Sequence, residues 1–255
     1  MVADFKIVIP ARLASTRLPN KPLADIHGKP MVVRVAERVA GLGASEVIVA
    51  TDHADILAAC QAHEVPVCLT PVDCPSGTDR IADVARQRGW SDDQIVVNVQ
   101  GDEPLIEREA ITTVASLLAG SDASIATCGC PIESWEDFCN PNIVKIALSG
   151  SGRALYFSRA PVPYPRDLMT ATARGPLPGH FRPVRHIGLY AYRVRFLNAY
   201  VKWPVSPLDS AESLEQLRAL WNGHAIDVAL LHDVPAPGVD TPEDLDRVRR
   251  LWRSV

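Results

Sequence analysis

Three cations, Arg12, Arg17 and Lys21, fall within the stretch IPARLASTRLPNKPL (9–23), which contains no acid. Arginine offers a planar fork to phosphate oxygens, and lysine a mobile point charge. The small residues Ala11, Ala14 and Ser15 would let backbone amides approach an anion. A triphosphate would satisfy all three cations, although a solvated surface loop with scattered charges has the same composition. The usual phosphate signature G-x-x-x-x-G-K-[ST] is missing. GLGASE (41–46) is a fragment of a dinucleotide fingerprint that follows a helical run, so it is expected to be a helix cap and turn.

A second group is VVNVQGDEP (96–104), where an apolar run ends in Gln100, Gly101, Asp102 and Glu103. A carboxylate at the end of a strand, beside a bound polyphosphate, is well placed to hold Mg²⁺. Gly101 and Pro104 also suit a turn in which Asp102 bonds its own backbone. Function is favoured because the acid would face the same edge as the cationic loop. A further acid, Asp240 in PGVDTPEDL (237–245), precedes a helix start and could cap it. Whether it meets Asp102 cannot be read from spacing.

These residues need a scaffold. FKIVI (5–9), EVIVAT (46–51), PVCLT (66–70), QIVVNVQ (94–100) and ASIATCGC (123–130) alternate with helical runs over 30–42, 54–63, 78–89 and 107–119. Strands apolar on both faces and alternating with helices indicate an α/β fold with a parallel sheet covered by helices. In such sheets ligands bind outside the carboxyl ends of the strands, where both groups would lie. From about 150 the rhythm changes. ALYFS (154–158) and RHIGLYAYR (185–193) are expected strands of a different pattern, separated by a Pro- and Arg-rich loop (160–183) long enough to be a lid or an interaction segment. The stretch 210–221 is expected to be one helix, AIDVALLH a strand and 241–252 a closing helix, with Thr241 before Pro242 marking its start. The whole chain (1–255) is therefore expected to be a single domain with an embedded segment at 150–205.

Composition narrows the classes. With 255 residues, 47% of them hydrophobic, the chain can bury about 70–75% of its unfolded surface without disulfides or a structural metal. Six cysteines without a C-x-x-C pair are expected to be reduced thiols of a cytoplasmic protein. MVADFKIVIPA is expected to be a first core strand rather than a signal peptide. No run approaches the roughly 18 apolar residues of a membrane span. A net charge of −4 argues against a nucleic-acid partner.

IPARLASTRLPNKPL, PSGTDR, NVQGDEP, ALYFSRAPVPYPRD, RHIGLYAYR, SLEQLRALW and GVDTPEDL, in this order, resemble the 3-deoxy-manno-octulosonate cytidylyltransferase family over about residues 5–250. The resemblance implies a Rossmann-like nucleotidyltransferase fold, a homodimer, Mg²⁺ as cofactor, and CTP and 3-deoxy-manno-octulosonate (Kdo) as substrates for lipopolysaccharide synthesis. It implies that Arg12, Arg17 and Lys21, with Ala11, Ser76, Gly77 and Arg80, hold the nucleotide, and that Asp102 and Asp240 hold the metal. It further implies that Gln100, Arg159, His186, Tyr190, Glu215 and Gln216 contact the sugar acid. Taken alone, Arg159 at a strand end could pair with a surface acid, and His186 could be a core histidine. His186 and Tyr190 alternate on one strand face. The segment 150–205 is expected to build the dimer through exposed Tyr192, Phe196 and Tyr200. A cytidylyltransferase for another acidic sugar (8-amino-Kdo or a sialic acid), or a non-catalytic nucleotide-binding protein on the same fold, stays open as an alternative.

Overall fold

The computed structural model describes residues 4–13, 17–169, 175–232 and 235–252. Ala14 and Ser15, and residues 170–174 of the long loop, lie outside the described residues. The first half runs β1 (Phe5–Ala11), β2 (Asp25–Ile26), β3 (Lys29–Pro30), α1 (Met31–Val39), β4 (Glu46–Thr51), α2 (Ala54–Ala62), β5 (Val67–Leu69), α3 (Gly77–Arg88), β6 (Ile95–Asn98), α4 (Arg108–Ala119) and β7 (Ile125–Pro131). The second runs α5 (Trp135–Cys139), β8 (Lys145–Leu148), β9 (Ala154–Ser158), β10 (Val184–Arg193), α6 (Val194–Tyr200), α7 (Pro207–Glu212), α8 (Leu217–Trp221), β11 (Ile226–Leu230) and α9 (Pro242–Trp252).

The main sheet has the order β11-β7-β10-β6-β1-β4-β5, with β8 on β10 and β9 on β8. β6, β1, β4 and β5 are mutually parallel, as are β7 and β11. This is the expected α/β fold, a mostly parallel sheet covered by helices in a Rossmann-like arrangement. The central strands contribute to two cores. Ile7, Ile9, Val97 and Val99 pack with α1 and α4, while Val8, Val96, Ile81 and Val84 lie in the core of α3 and α6. Burial on both faces is why these runs are nearly all apolar.

β10 lies inside the sheet, antiparallel to both β6 and β7. The aromatics expected on a dimer surface are therefore in the core: Tyr192, Phe196 and Tyr200 are 6%, 2% and 2% exposed. Their rings touch in sequence, Tyr192 stacked on Phe196 with centroids 5.8 Å apart and Phe196 tilted against Tyr200. Burying each such side chain stabilises the fold by about 1.5–3 kcal/mol. A second correction concerns 210–221. The chain is helical on either side of Ser213, which adopts a left-handed conformation at φ 52° and separates α7 from α8. Glu215 and Gln216 thus sit in the connecting link rather than on helical turns. Among the described residues all six cysteines are free thiols, and no helix is long and apolar enough to cross a membrane.

Candidate active site

β1 and β6 are parallel neighbours, and Val99 N donates to Val8 O at 3.1 Å. Their carboxyl ends therefore emerge side by side, carrying Ala11 and Arg12 on one and Gln100, Gly101 and Asp102 on the other. The turn after β6 lies directly against the end of β1. A Cβ on Gly101 would stand 2.9 Å from Pro10 O, so the position admits only glycine without a backbone shift.

That turn also brings the distant acid into place. Val239 N donates to Asp102 O at 2.8 Å, which docks the segment before α9 onto the β6 turn. The start of α9 is capped without Asp240. Asp244 Oδ2 accepts from the backbone amides of Asp240 (3.1 Å) and Thr241 (3.0 Å), and Asp244 N donates to Thr241 Oγ1 at 3.2 Å. This reciprocal cap satisfies the first amides of the helix. The Asp240 carboxylate is left to face the cationic loop.

Lys21, at the start of a short 3-10 turn (Lys21–Leu23), joins the two acids. Its Nζ donates to Asp102 Oδ2 at 2.5 Å and to Asp240 Oδ1 at 3.2 Å. Burial alone would lower the ammonium pKa, but hydrogen bonding and charge from Asp102, then Asp240, outweigh it and raise the value. Arg17 Nη2 reaches Asp240 Oδ2 at 3.1 Å while two-thirds exposed. Such a pair is worth only about 0–1 kcal/mol, so a ligand can recruit the guanidinium at little cost. Arg12 Nη2 donates to Pro75 O at 3.3 Å, at the foot of α3.

Two adjoining cavities open here. The smaller, about 210 Å³, is lined by Ala11, Arg12, Lys21, Gln100, Gly101 and Asp102, with Gly77 between. The larger, about 330 Å³, shares Gly77 and Gln100 with it and continues past Asn98, Tyr190, Glu215 and Gln216. One lobe is cationic with Asp102 on its wall and Asp240 reached through Lys21; the other mixes aromatic walls with amides and a carboxylate. Burial, with smaller contributions from neighbouring phenols and Glu215, holds the Tyr190 phenol well above its ordinary pKa. Burial raises the Glu215 carboxyl pKa, with Arg218 opposing the shift and Asp209 adding to it.

Arg17 and Asp240 line neither lobe but meet each other, and Asp240 meets Lys21, at the edge of the smaller one. Ser76, Arg80, Arg159 and His186 also line neither lobe and have other partners. Ser76 uses its hydroxyl to cap α3, accepting from Asp79 N at 3.3 Å and donating to Asp79 Oδ2 at 2.5 Å. Arg80, named for the nucleotide, is fully buried, with Nη2 on Asp52 Oδ2 at 2.7 Å and Nη1 on Thr70. It ties α3 to the loop after β4 and lines neither lobe. Arg159 donates through Nε to Glu212 O at 2.7 Å and through Nη1 to Pro141 O at 3.1 Å, which braces the end of α7. His186 lies behind Tyr190, their ring centroids 5.4 Å apart, with Nε2 3.3 Å from Thr127 Oγ1. Burial lowers its pKa to about 3 and keeps the imidazole neutral. Asn98, Tyr192 and Ser213 line the larger lobe and were not anticipated. The N-V-Q alternation from the end of β6 places Asn98 and Gln100 on one side, where both line the larger lobe, and was the available signal for Asn98.

The sequence profile of the family described as Cytidylyltransferase matches residues 6–226. The chain belongs to this family. The matched span takes in every cleft residue from Ala11 to Gln216 and stops short of Asp240. Two relatives are each described as 3-deoxy-manno-octulosonate cytidylyltransferase. One, from Herminiimonas arsenicoxydans, is 58% identical over 98% of this chain and 99% of its own length. The other, from Neisseria gonorrhoeae (strain NCCP11945), is 52% identical over the whole of both chains. A solved CMP:2-keto-3-deoxy-manno-octonic acid synthetase complexed with CTP superposes with a TM-score of 0.89, at 39% identity over 99% of each chain. A cytidylyltransferase from Leptospira borgpetersenii, 14% identical with a TM-score of 0.61 over 99% of this chain and 87% of its own, shares the fold.

Proposed function

We propose that this protein transfers the cytidylyl group of CTP to Kdo and releases pyrophosphate. The observation that carries the proposal is the two-lobed cleft. A cationic lobe sized for phosphates meets a polar, aromatic lobe at Gln100 and Gly77. The names of the full-length relatives and of the CTP-bound structural neighbour support the same substrates. They favour Kdo over the other acidic sugars, and an enzyme over a binding module.

In the reaction the anomeric oxygen of the sugar attacks the α-phosphorus of CTP in line. The bond from that phosphorus to the bridging oxygen breaks, and pyrophosphate leaves. Such transfers depend on positioning and charge stabilisation more than on covalent help. Arg12 and Arg17 would fork the non-bridging oxygens, and Lys21 would turn from the acids toward the phosphates. The connected lobes hold the two substrates end to end, which turns a bimolecular encounter into an oriented one.

Mg²⁺ belongs to the proposal. Asp102 and Asp240 converge on one Nζ and offer the hard oxygen donors this ion takes. Among the described residues no group of three or more His, Cys, Asp or Glu stands ready for a metal. Phosphate oxygens and water would therefore complete the shell, as Mg²⁺ ordinarily requires. Bound to these acids, the ion would neutralise phosphate charge and acidify the attacking hydroxyl. A cytoplasmic homodimer is likewise part of the reading, supported by the free thiols and by exposed Leu155 and Tyr164. Sedimentation as a monomer at micromolar concentration would remove the dimer.

The deciding experiment is pyrophosphate release with four nucleoside triphosphates against Kdo, a sialic acid and no sugar. Release with CTP and Kdo together is the expected result. Release with no sugar acid at all would overturn the proposal.

A further inference from the structure

We infer that Asn98 determines acceptor specificity, its amide oxygen accepting a hydrogen bond from a hydroxyl of the bound sugar. The inference rests on reading the larger lobe as the acceptor pocket. Asn98 is the last residue of β6, opposite Val8 of β1 and Tyr190 of β10, at a position where the strand is otherwise valine on both sides. It is only 4% exposed and lines the larger lobe. Its amide is engaged at the Tyr192 hydroxyl, next to Thr78, which fixes the side chain. Its Oδ1 has no partner. A buried acceptor without a donor destabilises a fold, and a valine-like side chain would avoid that cost here. The unmatched oxygen therefore points to a donor that arrives with a ligand.

The same lobe fixes what kind of donor. Gln216 Nε2 is also buried without a partner, and the Glu215 carboxylate lines the lobe beside it. The lobe thus presents acceptors at Asn98 and Glu215 and a donor at Gln216. A pyrimidine ring has one amino group for two separated acceptors, and only the ribose hydroxyls of CTP could compete there, which the separate KM values below distinguish. A sugar with several hydroxyls can donate to both and accept from the third. Sites built to bond hydroxyls reject analogues lacking them, because their own polar groups are then unpaired.

The test is the leucine variant Asn98→Leu, which keeps volume and removes the amide, with Asn98→Ser as a smaller polar variant should leucine fail to fold. Pyrophosphate release gives KM for CTP and for Kdo separately, and thermal melting checks the fold. The expected result is a sugar KM raised at least about tenfold, a CTP KM within about twofold, and partial recovery with serine. A Kdo analogue lacking the contacted hydroxyl should bind wild type and variant alike, since contacting groups are not additive. An unchanged sugar KM, or a shift confined to CTP, overturns the inference while leaving the transferase reading intact. Wild-type protein inert toward every sugar acid overturns that reading and this inference with it.

Discussion

Replacing Lys21 by methionine removes one charge and preserves most of the side-chain volume. Lys21 is 15% exposed and makes two charge-assisted bonds, to Asp102 and Asp240, which are 31% and 47% exposed. A hydrogen bond to a charged group is worth roughly 1.5–3 kcal/mol, but pairs open to solvent approach about 0–1. The Asp102 bond belongs nearer the first range and the Asp240 bond the second. The variant should lose about 1–3 kcal/mol, which for a chain this size lowers Tm by roughly 2–10 °C. The catalytic loss should be larger, because the same ammonium is lost where phosphate charge develops. Removing one such electrostatic group typically costs about 10²–10³ in kcat.

The pH behaviour separates this account from a general loss of packing. Lys21 has a folded pKa raised above 10.5, so its contribution is complete below that value and disappears only as pH rises through the raised one. The Tm gap between wild type and Lys21→Met should be flat from about pH 6 to pH 9. Thermal melts across that range, with pyrophosphate release at saturating CTP, measure both quantities. Turnover within about threefold of wild type would refute the assignment, as would a Tm gap that closes between pH 6 and pH 9.

Arg17→Lys should weaken CTP binding and lower turnover, because an ammonium cannot fork two phosphate oxygens; equal kinetic constants would make Arg17 a surface charge. Arg159→Ala should lower stability by about 1–3 kcal/mol by stripping Glu212 O and Pro141 O of their donor, and should raise the sugar KM through the link after α7. An unchanged Tm would show that this brace carries nothing. His186 has a folded pKa depressed to about 3, so the unfolded chain takes up a proton below about pH 6.5 that the native state refuses. Stability is therefore lost as pH falls through that window, and His186→Asn should flatten the decline in urea melts between pH 7 and pH 4.

What the sequence disclosed follows the range of the interactions. The bounds of β4 and β9 are local matters of periodicity, and they were legible. β8 was not. It is four residues long and opens on Lys145, whose buried ammonium donates to the carbonyls of Asn140, Ile143 and Arg159, so a charge interrupts its apolar run. Arg80 beside S-G-T resembles a phosphate ligand until the fold supplies Asp52. The break at Ser213 was invisible because a non-glycine residue there adopts a positive φ. β10 was visible as a strand, but its partners, β6 and β7, are non-local and leave no mark on periodicity.

That placement of β10 explains why one cleft has two unlike lobes. The parallel strands deliver loops to a single edge, which suffices for the phosphate lobe at the ends of β1 and β6. A second lobe needs side chains from the sheet face itself, and β10 supplies them by running against its neighbours. Its pairing with β7 slips between Ile187 and Tyr190, so the strand bulges there. Bulges re-aim side chains. Tyr190 lands opposite Asn98, at the carboxyl end of the strand whose turn carries Asp102. Alternation along β6 then divides the work. Asn98 and Gln100 face the larger lobe, and the turn two residues on holds the acid that meets Lys21. One strand end thereby joins the two lobes, with Gln100 on the wall of both.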